Sequence, residues 1–188
     1  MARGVALRAA GRPQEALADL DRVIAINRNL AEAYNNRADV RLDLGDVKGA
    51  LDDLNCALSL HPRFAGTYYQ IGYARIGQRD FPSAVTNFDK AIELDSKMSG
   101  AYQGRGTAKM AAGEIKGAIA DFTKALEINP NRAEAYENRG LAFLVLGKIT
   151  ESERDFEHCL RLKQQLEPDL RQRIELVKQM RASVPQRQ

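Results

Sequence analysis

Residues 99–132 read SGAYQGRGTAKMAAGEIKGAIADFTKALEINPNR, and residues 31–64 read AEAYNNRADVRLDLGDVKGALDDLNCALSLHPRF. Aligned, the two share Ala-Tyr near the start, a Gly at the middle, a Gly-Ala pair soon after, and Pro near the end. The interval is general: Tyr34, Tyr68, Tyr102 and Tyr136 recur every 34 residues, as do Ala57, Ala91, Ala125 and Cys159. Ala16, Ala50, Ala84, Ala118 and Ser152 keep the same spacing, and so do Leu20, Leu54, Phe88, Phe122 and Phe156. Such a period without a gap is the signature of an array of like units. The windows are 31–64, 65–98, 99–132 and 133–166, preceded by an incomplete window at 1–30 and followed by a tail at 167–188. Positions are numbered 1 to 34 within each window.

Each window reads as two helices. Gly11, Gly45, Gly113 and Gly147 fall at position 15, where a left-handed residue ends a first helix. A second helix carries apolar or small residues at positions 20, 24 and 27, a spacing that lines one face. Pro62 and Pro130 at position 32 stop it. Positions 4, 8 and 11 of the first helix then face 20, 24 and 27 of the second. One hairpin cannot bury both of its faces, so neighbouring copies must stack.

This pattern resembles the tetratricopeptide repeat: an aromatic at 4, small residues at 8, 20 and 27, an aromatic at 24 and Pro at 32. The resemblance covers nearly the whole chain. It implies an all-α, right-handed superhelical solenoid of helix-turn-helix repeats, with a concave groove lined by the first helices. The implied role is a non-catalytic scaffold or adaptor that binds a peptide segment of a partner. The other readings are a recognition or regulatory domain of a larger enzyme or signalling protein, and a self-assembling scaffold.

The two ends differ from the repeats. After Pro168, the residues Leu170, Ile174 and Val177 recur at four then three, so a capping helix is expected over 169–181, followed by a short basic tail. At the other end Met1 falls at position 5, and the aromatic position of the first window is missing. Either the chain belongs to a longer protein, or another subunit completes the first hairpin, which allows self-association there.

Position 7 is Arg3, Arg37, Ile71, Arg105 and Arg139, and position 23 is Asp19, Asp53, Asn87, Asp121 and Asp155. The window without Arg is the window without Asp. At about 100° per residue these positions can meet inside one hairpin, so an Arg to Asp bridge is expected in four of the five. Arg41, Arg75 and Lys109 at position 11 form a second basic ladder with no partner evident from sequence.

The opposite face of the first helices carries positions 2, 5, 6, 9, 12 and 13, which the resemblance makes the ligand positions. The four complete windows place no Lys or Arg at any of these 24 positions. Family members that clamp a C-terminal carboxylate use Lys or Arg there, so that ligand class is not expected. The candidate peptide-binding residues are Asn35, Asn36, Asp39, Tyr69, Gln70, Tyr73, Gln103, Thr107, Glu137 and Asn138. Amides can serve both donors and acceptors of an extended peptide, and Tyr69 and Tyr73 offer an anchor one turn apart. The partner implied is a neutral to basic protein segment. Leu141, Leu144 and Val145 are expected to contact the tail helix rather than form a second pocket.

Composition narrows the rest. The chain has 188 residues, 44% of them hydrophobic, and 28 Lys and Arg against 25 Asp and Glu, for a net charge of +3. That lacks the basic footprint of a nucleic-acid binder. No stretch suits a signal peptide or a membrane span, so a cytoplasmic location is the expectation. Cys56, Cys159, His61 and His158 are too few and too scattered for a metal site. His158 and Cys159 are adjacent, pointing apart on a helix, and make no nucleophile and base pair. No catalytic residue, metal or cofactor is expected.

Overall fold

A computed structural model describes residues 1–163 together with Gln172, Glu175 and Gln179. Ten helices and no strand are delimited among the described residues. They are α1 (Ala2–Ala9), α2 (Pro13–Ile26), α3 (Ala31–Asp43), α4 (Val47–Leu60), α5 (Ala65–Gly77), α6 (Phe81–Leu94), α7 (Ser99–Ala111), α8 (Ile115–Ile128), α9 (Ala133–Val145) and α10 (Ile149–Leu162). Apart from Gln172, Glu175 and Gln179, the capping helix expected over 169–181 lies outside the described residues. The chain divides into two compact units, Met1–Ser96 with α1 to α6 and Lys97–Gln188 with α7 to α10.

The hairpins form for local reasons. Gly11, Gly45, Gly113 and Gly147 hold φ between 71° and 86°, and in the third window Arg79 takes the same conformation at φ 60°. Asp46 and Asp80 cap α4 and α6 by accepting from the backbone N–H groups of Gly49 and Ser83. Helix α4 ends at Leu60, just before Pro62, and α8 ends at Ile128, just before Pro130.

Within a hairpin the close approach falls at positions 8 and 24. A Cβ on Gly72 would lie 2.7 Å from the Phe88 ring, one on Gly106 2.7 Å from Phe122, and one on Gly140 3.0 Å from Phe156. Where position 24 is the slimmer Leu54, position 8 is Ala38, and both are wholly buried. Phe88, Phe122 and Phe156 are likewise fully buried, flanked by Ala84, Ala91, Ala118, Ala125 and Cys159. In the first unit Leu51, Leu54, Ile71 and Ala74 share one cluster. In the second, Leu141 and Leu144 pack against the cluster of Phe156 and Cys159, and the tail helix expected to meet them lies outside the described residues. Val145 stays two-thirds exposed among these neighbours.

The arginines enter the packing as ion pairs. Arg37 donates to both oxygens of Asp53 at 2.8 and 2.6 Å, Arg105 to both of Asp121 at 3.0 and 2.5 Å, and Arg139 to both of Asp155 at 2.7 Å. Arg3 meets Asp19 at 3.3 Å with its side chain largely exposed. The bridge expected in four hairpins is therefore present in four. Each of the three bidentate guanidiniums also lies over the ring at position 4, at 5.4–5.6 Å from Tyr34, Tyr102 and Tyr136. Within each unit the free arm can reach the preceding hairpin: Arg37 bonds Asp21 at 2.7 Å and Arg139 bonds Thr123 at 3.1 Å.

The second basic ladder turns out to share the same carboxylates. Arg41 lies 2.8 Å from Asp53, and Lys109 lies 2.9 Å from Asp121. In the third hairpin Asn87 spends its amide on the Ser83 carbonyl, and Arg75 turns to Gln78 and Asp80 in the connecting loop. Asp53 and Asp121 thus each carry two cations.

Candidate functional site

Helices α3 and α5 bring residues at positions 2, 5 and 6 side by side in the first unit, with Asp39 at position 9 of α3. They enclose a cleft of about 470 Å³. Asn35, Asn36 and Asp39 come from α3, Tyr69 and Gln70 from α5, and Glu32, Phe64 and Gly66 complete the walls. Five residues expected from the sequence therefore converge on one space.

Their polar groups are not all free. The Thr67 hydroxyl donates to the Asn35 side-chain oxygen at 2.9 Å, and Asn35 is 7% exposed. With its acceptor occupied, Asn35 keeps its N–H donors. Gln70 donates to Asp39 at 2.6 Å, which leaves the Gln70 carbonyl as its acceptor. Asp39 also receives Arg8 at 3.1 Å, and Arg8 donates to Asp43 at 2.5 and 3.2 Å. Arg8, Asp39 and Gln70 thereby tie together three successive hairpins. Burial raises the Asp39 carboxyl above its ordinary range, with Arg8 and Gln70 opposing. The hydrogen bond from Arg8 holds the Asp43 carboxyl below its ordinary range against a smaller effect of burial. Among the described residues Glu32 and Asn36 have no hydrogen-bond or ion-pair partner.

The remaining expected residues are placed differently. Tyr73 does not line the cleft; its ring sits 5.3 Å from Phe88 and 4.9 Å from Tyr69, bracing Tyr69 from behind. In the second unit Gln103 is nearly buried and accepts from Arg132 at 2.7 Å, while Thr107 donates to the Gln103 backbone carbonyl. Glu137 and Asn138 are half-buried on α9, with Lys163 3.7 Å from Glu137 and 3.6 Å from Glu134.

Phe64, Thr67 and Arg8 escaped the sequence reading. Arg8 belongs to the incomplete window, so it was outside the positions compared. Phe64 occupies position 34, the residue before each odd-numbered helix from α3 onward. That position holds Leu30, Phe64, Met98 and Arg132, and none makes a side-chain cap. A run of large side chains where a helix prefers a small polar cap was the available signal.

Burial pushes the Cys159 thiol up to about 11, so it stays protonated near neutral pH. His158 stacks on Tyr136 at 5.0 Å. Among the described residues no group of His, Cys, Asp or Glu could hold a metal ion, and no helix is long and apolar enough to cross a membrane.

Three repeat models match along the chain: a tetratricopeptide repeat model over residues 1–63, a second over 65–98 and 133–166, and a TPR repeat model over 106–147. The chain belongs to the tetratricopeptide repeat family. Its fold class is the all-α helical-repeat solenoid. A thermophilic TPR protein of Thermus thermophilus is 23% identical, with a TM-score of 0.80 over 95% of this chain and 97% of that one. The crystal structure of MamA is 25% identical, with a TM-score of 0.73 over 85% and 93%. YrrB, described as a TPR protein with an unusual peptide-binding site, is 18% identical, with a TM-score of 0.70 over 92% and 88%. No curated protein matches the sequence. Tetratricopeptide repeat proteins are in general non-catalytic interaction scaffolds with protein or peptide partners, and this tetratricopeptide repeat chain has that architecture.

Proposed function

We propose that this tetratricopeptide repeat chain is a scaffold that binds an extended, neutral to basic peptide segment of a partner protein in the cleft between α3 and α5. The observation that carries the reading is the convergence of Asn35, Asn36, Asp39, Tyr69 and Gln70 on one space of about 470 Å³. Asn35 offers donors there and Gln70 an acceptor, because Thr67 and Asp39 take their other ends. A peptide backbone needs that alternation of donor and acceptor. Tyr69, stiffened by Tyr73, offers a ring face of the kind that anchors interfaces. The likeness to YrrB supports a peptide ligand in general terms.

The test is nuclear magnetic resonance of isotope-labelled chain, titrated with peptides selected from a displayed random library. Shifts concentrated at residues 32–39 and 64–70 are expected. Shifts confined to the outer helices, around Asp52 and Cys56, would overturn the reading.

A further inference from the structure

A smaller pocket of about 280 Å³ opens from the cleft and shares Glu32, Asn35 and Phe64 with it. Its apolar walls are Leu30 and Ala31 at the start of α3 and Phe64 before α5, and Asn29 and His61 also line it. The volume falls just below the ~300–1,000 Å³ of sites that hold a whole small molecule, so it suits a single side chain. Phe64 is half-exposed, and Gly66 makes room for it: a Cβ there would lie 2.9 Å from its ring. An apolar side chain entering the pocket would cover that ring.

Glu32 stands where the pocket meets the cleft. It is exposed, has no countercharge among the described residues, and lies in the first turn of α3, where the helix N-terminus favours a carboxylate. Asn35, with its oxygen held by Thr67, lines both the pocket and the cleft. The three groups together match a carbonyl, a cation and an apolar side chain on consecutive parts of one ligand.

Resting on the cleft reading above, we infer that the pocket beside Phe64 takes an apolar side chain of the bound peptide and that Glu32 takes a Lys or Arg adjacent to it. The recognised element is a short apolar-basic pair in an extended segment.

The experiment selects peptides from a displayed random library on the full chain and measures their affinity for variants whose helicity matches wild type. Selected peptides should carry an apolar residue next to Lys or Arg. Phe64→Ser should weaken them at least about 10-fold. Glu32→Gln should weaken them about 3-fold at low salt, with the difference shrinking as salt rises. Selection repeated on Glu32→Lys should exchange the basic residue for an acidic one while keeping the apolar neighbour. Peptides that lose binding in Asn36→Ala and Tyr69→Ala, yet bind Phe64→Ser and Glu32→Lys like wild type, would overturn this inference and leave the cleft reading standing. Failure to select any peptide above a carrier control would overturn both.

Discussion

The ring of Phe122 occupies the place where a Cβ of residue 106 would stand, 2.7 Å from it. The same exclusion holds for Gly72 with Phe88, whereas Ala38 stands opposite the slimmer Leu54. In these three hairpins position 8 follows its partner at position 24, while in the first hairpin Gly4 faces Leu20, whose Cγ would lie 3.2 Å from an added Cβ. Gly106→Ala should destabilise the chain by about 1–3 kcal/mol through overpacking. Adding Phe122→Leu should recover at least about 1 kcal/mol relative to the sum of the single changes. Urea unfolding of the four chains gives the coupling, and strict additivity would refute the steric pairing.

Asp121 is 4% exposed and holds both Arg105 and Lys109. Removing a partner from a fully buried pair costs about 3–5 kcal/mol. The Arg105 side chain keeps about a fifth of its exposure to water, which softens the penalty. Asp121→Ala should therefore cost about 2–4 kcal/mol, read as a lowered urea midpoint. A loss below about 1 kcal/mol would place the pair among surface bridges.

Arg79 adopts the left-handed conformation that glycine supplies in the other four turns. A side chain there costs about 1 kcal/mol. Its contact with Phe81, at 6.0 Å, returns only part of that. Arg79→Gly should raise the thermal midpoint, and a fall would show that the Arg79 contacts outweigh the backbone strain.

Asp39 tests the sign of burial. Its carboxyl is raised, so the ionised form opposes folding. That cost is absent below the ordinary carboxylate range and complete above the raised value. Asp39→Asn should therefore gain stability relative to wild type at pH 7 compared with pH 3. Asp43, lowered by Arg8, stabilises both chains above the ordinary range and cancels in the difference. Chemical denaturation at the two pH values measures it. A difference that does not change with pH would refute the assignment.

The two thiols should separate by reactivity. Cys56 is exposed, and Cys159 is fully buried with its thiol raised to about 11. Alkylation at pH 8 should label Cys56 alone in the folded chain and both residues in denaturant, by mass spectrometry. Equal native labelling would mean that α10 opens on the timescale of the reaction.

Much of this was legible in a single sequence because the chain repeats itself. Five aligned copies separate what packing demands at every turn from what varies, so Ala50, Leu54, Ala84, Phe88, Ala118 and Phe122 announce themselves as core. The matched loss of Arg at Ile71 and of Asp at Asn87 exposed the ion pair without coordinates. The groove positions followed from helical geometry, and seven of them line the cleft, five being candidate binding residues.

What repetition could not carry is which polar groups remain available. Gln103 and Asn35 both occupy position 5 and both have the side-chain oxygen taken, by Arg132 and by Thr67, and it is Asn35 that lines the cleft with Phe64. Arg41 and Lys109 found their carboxylates only when the two helices of a hairpin were docked. Phe64 lay in a connection that the pattern treated as punctuation. The sequence by itself determined the hairpin, its period and its core, because those depend on spacing along a helix. The tertiary structure alone decided the cleft and its free donors, because hydrogen-bond partners and open volume depend on side chains brought together from different hairpins.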